Sequence, residues 1–581
     1  MRFDLAVFAM TNGFLLILMY FPLHYLSNLK FQRILGAIFV AVNSLLLMLN
    51  FIDIAYYPYV QKRMQKDVMQ FMDGKHGNEF YELLPTFLLQ FWYLILIFLF
   101  VIFILWRVNR WIQTFNNHLK PGIYEYINRI VFFIAMFLLL IISFRGGLQY
   151  RPIEVITASE IADPVNIPIV LNTPFTLIKS FETNRINWEF LANDEKPNIE
   201  KMIVKSGYIK NQMQRKNIII LIVESLSRKY VGHYNGKPVT PFLDSLMSKS
   251  LVFDNAFANA KTSMEGIPSI LASIPAWMDD PFIYSFYSGN RITSFSNLLT
   301  PYGYSSAFFH GGKNGTMGFD NFCNLAEIDK YYGLNEYPDK GDFDGKWGIW
   351  DEPYLQYSVE QITKMNQPFF ASIFTLNTHH PFTIPEKYRE KFHQPGHPLN
   401  TCIRYADYSL EQFFKKAEKQ NWFQNTIFVI TADHTALDIV GEKPNALQDY
   451  RIPLIIFNPA EKFLQEKNEN IISQIDILPT VMDIINYPED FICLGKSGLK
   501  NEIKNSTINY KSGVFQMVND RYLYQFNGTK CIGLYDWKMD NNIKKKLNTN
   551  KYKVVTDSLK IILVDKLSLF RYAMENNAFR L

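Results

Sequence analysis

The chain is 581 residues long, 48% hydrophobic and 16% aromatic, with a formal net charge of +5 from 59 basic and 54 acidic residues. That length exceeds one ordinary domain, and near-balanced charge without a basic stripe interleaved with aromatics argues against nucleic acid as a partner. Four cysteines (Cys323, Cys402, Cys493, Cys531) lie far apart with no paired spacing, which excludes a zinc framework or dense disulfide scaffold and leaves buried thiols.

Apolar residues are concentrated at the front. Leu5 to Leu26, Ile34 to Ile54, Leu83 to Trp106 and Ile130 to Phe144 are apolar over roughly the 15 to 25 residues of a bilayer span. Buried helices of a soluble domain would carry a polar stripe every turn, whereas these runs offer isolated exceptions such as Asn12, Asn43 and Gln90. They predict a transmembrane domain of four helices over residues 1–145. Lysine and arginine occur in every connecting loop (Lys30 and Arg33; Lys62, Arg63 and Lys66; Arg107, Arg110, Lys120 and Arg129), so the positive-inside bias does not fix orientation. If the C-terminal part lies outside the cytoplasm, four spans put the N-terminus outside too, which leaves room for a further span upstream. Leu5 to Leu26 is long and lacks a small-residue cleavage pattern, so it is read as a retained anchor.

The last span ends at Arg145-Gly146-Gly147-Leu148-Gln149-Tyr150-Arg151-Pro152, and residues 146–216 are read as a linker along the membrane face. From Asn217 strands and helices alternate to about residue 490, as in an α/β domain, assigned to 217–500. Residues 501–581 are expected to complete that domain, with Val514 to Val518 and Tyr522 to Phe526 as edge strands and Ser558 to Arg571 as a strand and short helix. No internal repeat is evident.

Four apolar runs in the α/β region end in ionisable residues. Ile218 to Val223 ends in Glu224, Ile427 to Ala432 in Asp433 and His434, Tyr304 to Phe309 in His310, and Phe369 to Thr378 in His379 and His380. In open α/β sheets the carboxyl ends of the strands form the ligand crevice, so Glu224, Asp433 and His434 are expected to converge on a metal, with Thr262 as nucleophile beside it. One such ending is more often a cap or loop residue; four in one domain point to a site. Asp476 is read as a helix cap, and His233 as a loop residue after a helix begun by Ser225. His310 is read as a substrate contact or as support behind one, and Lys261 as orienting a phosphate or facing solvent.

With these residues the chain resembles the lipoteichoic acid synthase-like group of the alkaline phosphatase and sulfatase superfamily, which are membrane-anchored phosphoglycerol transferases. The resemblance rests on Ile52-Asp53-Ile54-Ala55-Tyr56-Tyr57 with Arg63, the Arg-Gly-Gly-Leu-Gln linker, Val223-Glu224-Ser225, Lys261-Thr262-Ser263 and Trp347-Gly348-Ile349 followed by Asp351-Glu352. Thr378-His379-His380-Pro381-Phe382, Thr431-Ala432-Asp433-His434 and Gln474-Ile475-Asp476-Ile477-Leu478-Pro479-Thr480 complete it. It implies an α-helical transmembrane bundle followed by an alkaline phosphatase/sulfatase-like domain with a mixed, mostly parallel sheet.

It further implies one divalent metal ion, manganese first with magnesium or zinc as alternatives, held by Glu224, Thr262, Asp433 and His434. Three oxygen donors and one imidazole suit such an ion, and a threonine hydroxyl on a metal loses its proton more easily. Thr262 and His379 are then the catalytic pair, with His379 near the substrate phosphate. His310, Lys261, Trp347 and His380 are further candidates for substrate contact, a rim or packing role being the alternative for His380. The implied donor is phosphatidylglycerol and the acceptor an envelope glycan, glycolipid or growing polymer, at a bacterial inner membrane with the catalytic domain on the extracytoplasmic side. Lipoteichoic acid-making members carry a Trp and an Arg shortly after the strand of His310. Here Gly315-Thr316-Met317-Gly318-Phe319-Asp320-Asn321 has no Arg, so phosphatidylethanolamine is the rival donor. A formylglycine sulfatase would need a Cys/Ser-x-Pro-x-Arg motif, absent around Thr262, and a lipid-binding protein without activity would have no need of the four metal-site residues.

Overall fold

The computed structural model describes residues 1–22, 28–60, 63–64, 85–86, 88–114, 122–148, 152–153, 158, 167–182, 188–191, 197–236, 239–285, 287, 290–436, 445–461, 468–499 and 506–580. Residues 23–26 and 83–84 of the expected spans, Lys62, Lys66, Lys120, Gln149 to Arg151 and much of the expected linker lie outside the described residues. The chain divides into two compact units, one made of Met1–Val68 with Tyr81–Thr183, the other of Met69–Phe80 with Asn184–Leu581.

The first unit contains four helices long and apolar enough to cross a membrane: Arg2–Tyr20, Leu29–Tyr57 within a longer helix to Val60, Trp92–Thr114 and Ile123–Arg145. Several polar side chains of this unit pair with one another. Asn12 and Asn43 exchange amide hydrogen bonds of 3.2 and 2.7 Å between the first two helices. Asp53, fully buried, accepts from Arg63 Nη1 at 2.6 Å and from the Met64 backbone N–H at 2.7 Å.

The second unit is built on an eight-stranded sheet. In chain order the strands are β1 (Ile203–Val204), β2 (Asn217–Val223), β3 (Leu251–Phe257), β4 (Ser305–His310), β5 (Lys330–Tyr332), β6 (Phe369–Phe374), β7 (Thr426–Ala432), β8 (Leu454–Phe457), β9 (Asn468–Ser473), β10 (Phe491–Ile492), β11 (Thr507–Lys511), β12 (Val514–Val518), β13 (Tyr522–Phe526) and β14 (Cys531–Asp536). The large sheet runs β5-β4-β6-β2-β7-β8-β3-β9, and only β8 is antiparallel to its neighbours. The mixed, mostly parallel sheet expected is the one observed. Every residue of β2, β6 and β7 is buried, because covered parallel strands can be apolar on both faces, and β-branched Ile and Val fit the pleat.

Three expectations are corrected. The main segment of the second unit starts at Asn184 rather than near Asn217, and its first described residues are core rather than linker: Trp188 stacks on Phe570, Phe190 packs edge-on against Phe526, and β1 pairs with β10. Val514–Val518 and Tyr522–Phe526 are the two inner strands of a separate antiparallel sheet, β11-β12-β13-β14, because three short connections let the segment pair with itself. Lys553–Glu575 is one continuous helix; its Leu559, Leu563, Leu567 and Phe570 recur at helical spacing and are buried.

Candidate active site

β2 lies between β6 and β7, so the three chain segments leaving their carboxyl ends meet over the middle of the sheet. β2 delivers Glu224, β7 delivers Asp433 and His434, and β6 leads into the loop bearing His379. Glu224, Asp433 and His434 are buried, and one ligand atom from each lies within 4.8 Å of the others. His434 Nε2 is 3.4 Å from Glu224 Oε1 and 3.2 Å from Asp433 Oδ2.

The polar partners of these groups show what they are arranged to hold. His434 Nδ1 lies 2.9 Å from the Thr435 carbonyl, which can only accept, so Nδ1 donates there and Nε2 is the ring nitrogen turned towards the two carboxylates. Asp433 Oδ1 accepts the backbone N–H groups of Ser225 and His434, both at 2.8 Å, while its buried Oδ2 accepts no hydrogen bond among the described residues. Burial and the neighbouring Asp433 push the Glu224 carboxyl well above its ordinary range. An imidazole nitrogen, a carboxylate oxygen without a donor and a second carboxylate, all buried with no lysine or arginine among them in the described residues, fit a divalent metal ion.

Ser225 locks this geometry. Its φ of 55° lies in the left-handed region, where its N–H reaches Asp433 Oδ1 and its hydroxyl donates to Glu224 Oε1 at 2.6 Å. It begins no helix. His233 sits instead in the short helix Gly232–Asn235 beyond a 3-10 turn.

Thr262 is the N-cap of helix Ser263–Ala272, and two contacts tie that helix to the cluster. Ser263 Oγ donates to Glu224 Oε2 at 3.3 Å. Gly266 lies so close to the end of β7 that a Cβ there would stand 2.2 Å from the Asp433 carbonyl oxygen. Thr262 is half-buried, and its hydroxyl donates to Glu265 Oε2 at 2.9 Å instead of capping the helix backbone. Lys261 turns inward: its ammonium donates to the Thr435 hydroxyl at 3.0 Å and to the Asp449 carbonyl, joining three loops at the rim.

His379 packs against the Trp347 indole with ring centres 4.1 Å apart. Its Nδ1 is 2.9 Å from the His380 carbonyl, and the same carbonyl accepts the Trp347 indole N–H at 2.5 Å. The backbone of His380, more than its ring, therefore organises this wall. Burial first, opposed by the bond to the His380 carbonyl, holds His379 down to about 4, so it is neutral near pH 7. Burial and the adjacent His379 likewise hold the half-buried His380 down to about 4. His310, 1% exposed at the end of β4, stacks on Phe374 at 4.9 Å, and burial holds it down to about 4 as well.

Three supporting residues went unnoticed as individuals in the sequence. Asp344 Oδ1 accepts the N–H groups of Lys346, Trp347 and Gly348 at 2.7, 2.8 and 3.1 Å and so shapes the Trp347 turn. Asp351, buried at the start of helix Asp351–Thr363, accepts from Leu376 and Asn377 and fixes the loop of His379. Gln474 donates to the Ala432 and Asp433 carbonyls at 2.8 and 2.6 Å and accepts the Asn259 N–H at 2.7 Å. In its motif Gln474 braces the site, while Asp476 is structural: its carboxylate accepts the backbone N–H groups of Ser473 and Lys496, both at 2.7 Å.

Residues 216–487 match the family model described as Sulfatase. Over 331 residues the chain is 23% identical to the lipoteichoic acid synthase-like protein YvgJ of Bacillus subtilis, covering 52% of this chain and 54% of the relative. It is 25% identical over 343 residues to a lipoteichoic acid synthase of Staphylococcus aureus, covering 53% of this chain and 51% of that one. The chain thus spans about half the length of the curated relatives it matches. Among solved structures, an alkaline phosphatase superfamily protein from Vibrio parahaemolyticus superposes with a TM-score of 0.57 at 25% identity, covering 67% of this chain and 94% of that one. A lipoteichoic acid synthase from Listeria monocytogenes gives 0.52 at 20% identity, covering 64% and 95%. The α/β unit accordingly has the alkaline phosphatase/sulfatase fold, and its relatives include lipoteichoic acid synthases.

Proposed function

We propose that the chain is a membrane-anchored, metal-dependent transferase that moves the phosphoglycerol head group of phosphatidylglycerol, through a phosphoester of Thr262, to an envelope glycan or polymer. The observation that carries this reading is the placement of the Thr262 helix, through Ser263 and Gly266, against the Glu224–Asp433–His434 cluster. Glu224, Asp433, His434 and the Thr262 hydroxyl would hold the ion, manganese for preference. When bound it supplies a Lewis acid for the phosphate oxygens and lowers the proton affinity of the hydroxyl.

The remaining work falls to the chain's own groups. Thr262 Oγ1 forms the new bond to phosphorus as the bond to diacylglycerol oxygen breaks, and Glu265, already bonded to that hydroxyl, takes its proton. An anionic phosphate against His379 raises the proton affinity of its free Nε2. The imidazolium, protonated from solvent, then hands that proton to the departing alkoxide; in the second half neutral Nε2 takes the proton of the acceptor hydroxyl as its oxygen bonds to phosphorus, the bond from phosphorus to Thr262 Oγ1 breaks, and Glu265 returns its proton to Oγ1. Trp347 and the His380 carbonyl fix the ring for both steps.

Phosphatidylethanolamine is the second donor considered, because residues 315–321 contain no arginine. Diacylglycerol release from liposomes of each lipid with Mn²⁺ tests both, with Thr262→Ala as control. Release from phosphatidylglycerol alone, lost in the variant, supports the first reading, and release from phosphatidylethanolamine alone replaces it with the second. No release from either lipid removes both.

A further inference from the structure

Large apolar side chains are rarely exposed on the second unit, and those that are cluster. Among its described residues six are exposed: Ile199, Ile209, Met539, Val554, Ile561 and Ile562. The last four fall within 24 residues, with Met539 84%, Val554 83% and Ile561 69% exposed. On helix Lys553–Glu575, Val554, Ile561 and Ile562 stand at i, i+7 and i+8, opposite the face that buries Leu559, Leu563 and Leu567. Scattered apolar residues need no explanation, whereas a stripe of them does.

The charge of the same segment is concentrated too. Residues 537–561 contain seven lysines and two aspartates and no arginine or glutamate, a net +5 that equals the formal charge of the whole chain. All seven lysines are exposed. Lys538 lies 3.7 Å from Glu469, while Lys544, Lys545, Lys546, Lys551 and Lys553 form no ion pair among the described residues. Cations on flexible stems around a protruding methionine and an apolar helix stripe match an anionic lipid surface, with side chains entering the acyl boundary and ammonium groups at the phosphates.

The segment also borders the catalytic edge. Gln448 Nε2 bonds Asn541 Oδ1 at 3.0 Å, and the next residue, Asp449, accepts from Lys261, the neighbour of Thr262. Trp537 shares a buried cluster with Tyr450 and Leu447 of the same loop.

We propose that residues 537–562 form a docking surface for an anionic phospholipid bilayer, seating the catalytic edge against the lipid head groups. This rests on the proposed function only in favouring a lipid as the occupant. The test is hydrogen exchange of residues 537–562 in the full chain, held in nanodiscs of phosphatidylcholine with or without about one third phosphatidylserine. Slower exchange in the anionic discs alone is expected. That protection should fall about fivefold for each lysine removed in a Lys544/Lys545/Lys546/Lys551→Gln variant. Raising salt to about 0.5 M should remove it from the unmutated protein, which keeps the test independent of whether the variant folds. Equal exchange in the two discs, or protection that survives both perturbations, overturns the proposal. Protection by soluble polyphosphate but not by anionic discs replaces the bilayer with a polyanion. No turnover is measured, so failure here is distinct from failure of the phosphodiester chemistry.

Discussion

Replacing Gly266 by alanine sets two effects of opposite sign against each other. Gly266 lies inside helix Ser263–Ala272, where alanine should add about 1 kcal/mol through helix propensity. The added Cβ, however, meets the Asp433 carbonyl oxygen at 2.2 Å and its carbonyl carbon at 2.9 Å, both backbone atoms at the end of β7. Ordinary contact begins at 3.4 Å, so helix and strand must separate by about 1.2 Å. Overpacking of that kind costs about 1–3 kcal/mol, enough to outweigh the propensity gain. The functional cost is larger, because the separation moves Thr262 away from Asp433 and His434, and a misplacement of about 1 Å costs on the order of a hundredfold in rate. Thermal unfolding with and without Mn²⁺, and hydrolysis of a soluble phosphodiester, measure both. A Gly266→Ala protein that is more stable, equally stabilised by Mn²⁺ and equally active would refute the close seating of the Thr262 helix on the metal cluster.

Thr262→Ala should lower transfer by about four orders of magnitude or more, with Thr262→Ser retaining a measurable fraction in the same diacylglycerol assay. Chelation should lower the melting temperature of the full chain, and Mn²⁺ at about a hundred times its Kd should restore about 2.7 kcal/mol in the wild type but little in Glu224→Gln, a difference that calorimetry reads directly. Gln474→Leu leaves the Asn259 N–H without its acceptor and two carbonyls without their donor, and should cost about 1–3 kcal/mol in denaturant unfolding. Asp476 is raised from 3.8 to about 6 by burial, against the pull of its two backbone N–H bonds. The native protein thus keeps a proton there that the unfolded chain has released; the stability it contributes is full below 3.8 and lost as pH rises through about 6. Asp476→Asn, which has no proton to release, should flatten unfolding free energy across that window, and an unchanged slope would remove Asp476 as its source.

Unbroken apolar runs ending in Glu224 and in Asp433-His434 were legible because buried parallel strands leave that pattern, and the sheet topology turns two distant strand ends into neighbours. Apolar length likewise marked the N-terminal helices. Boundaries governed by packing were not legible: Trp188 and Phe190 read like linker residues until Phe515, Phe526 and Phe570 are placed against them. The C-terminal helix was mistaken in part for a strand because Ile561-Ile562-Leu563-Val564 has the composition of one, and only the buried faces of Leu559, Leu563 and Leu567 reveal the helical period.

The sequence by itself determined which residue types stand at the ends of which strands, and hence the chemistry available to the site. Tertiary structure alone decided the supporting contacts, because hydrogen bonds across long chain separations follow no local pattern. Examples are Ser225 held between two carboxylates, Gln474 rather than Asp476 bracing Asp433, and the His380 carbonyl fixing both Trp347 and His379. A side chain's partner is set by where the backbone brings it, and that is a property of the whole fold.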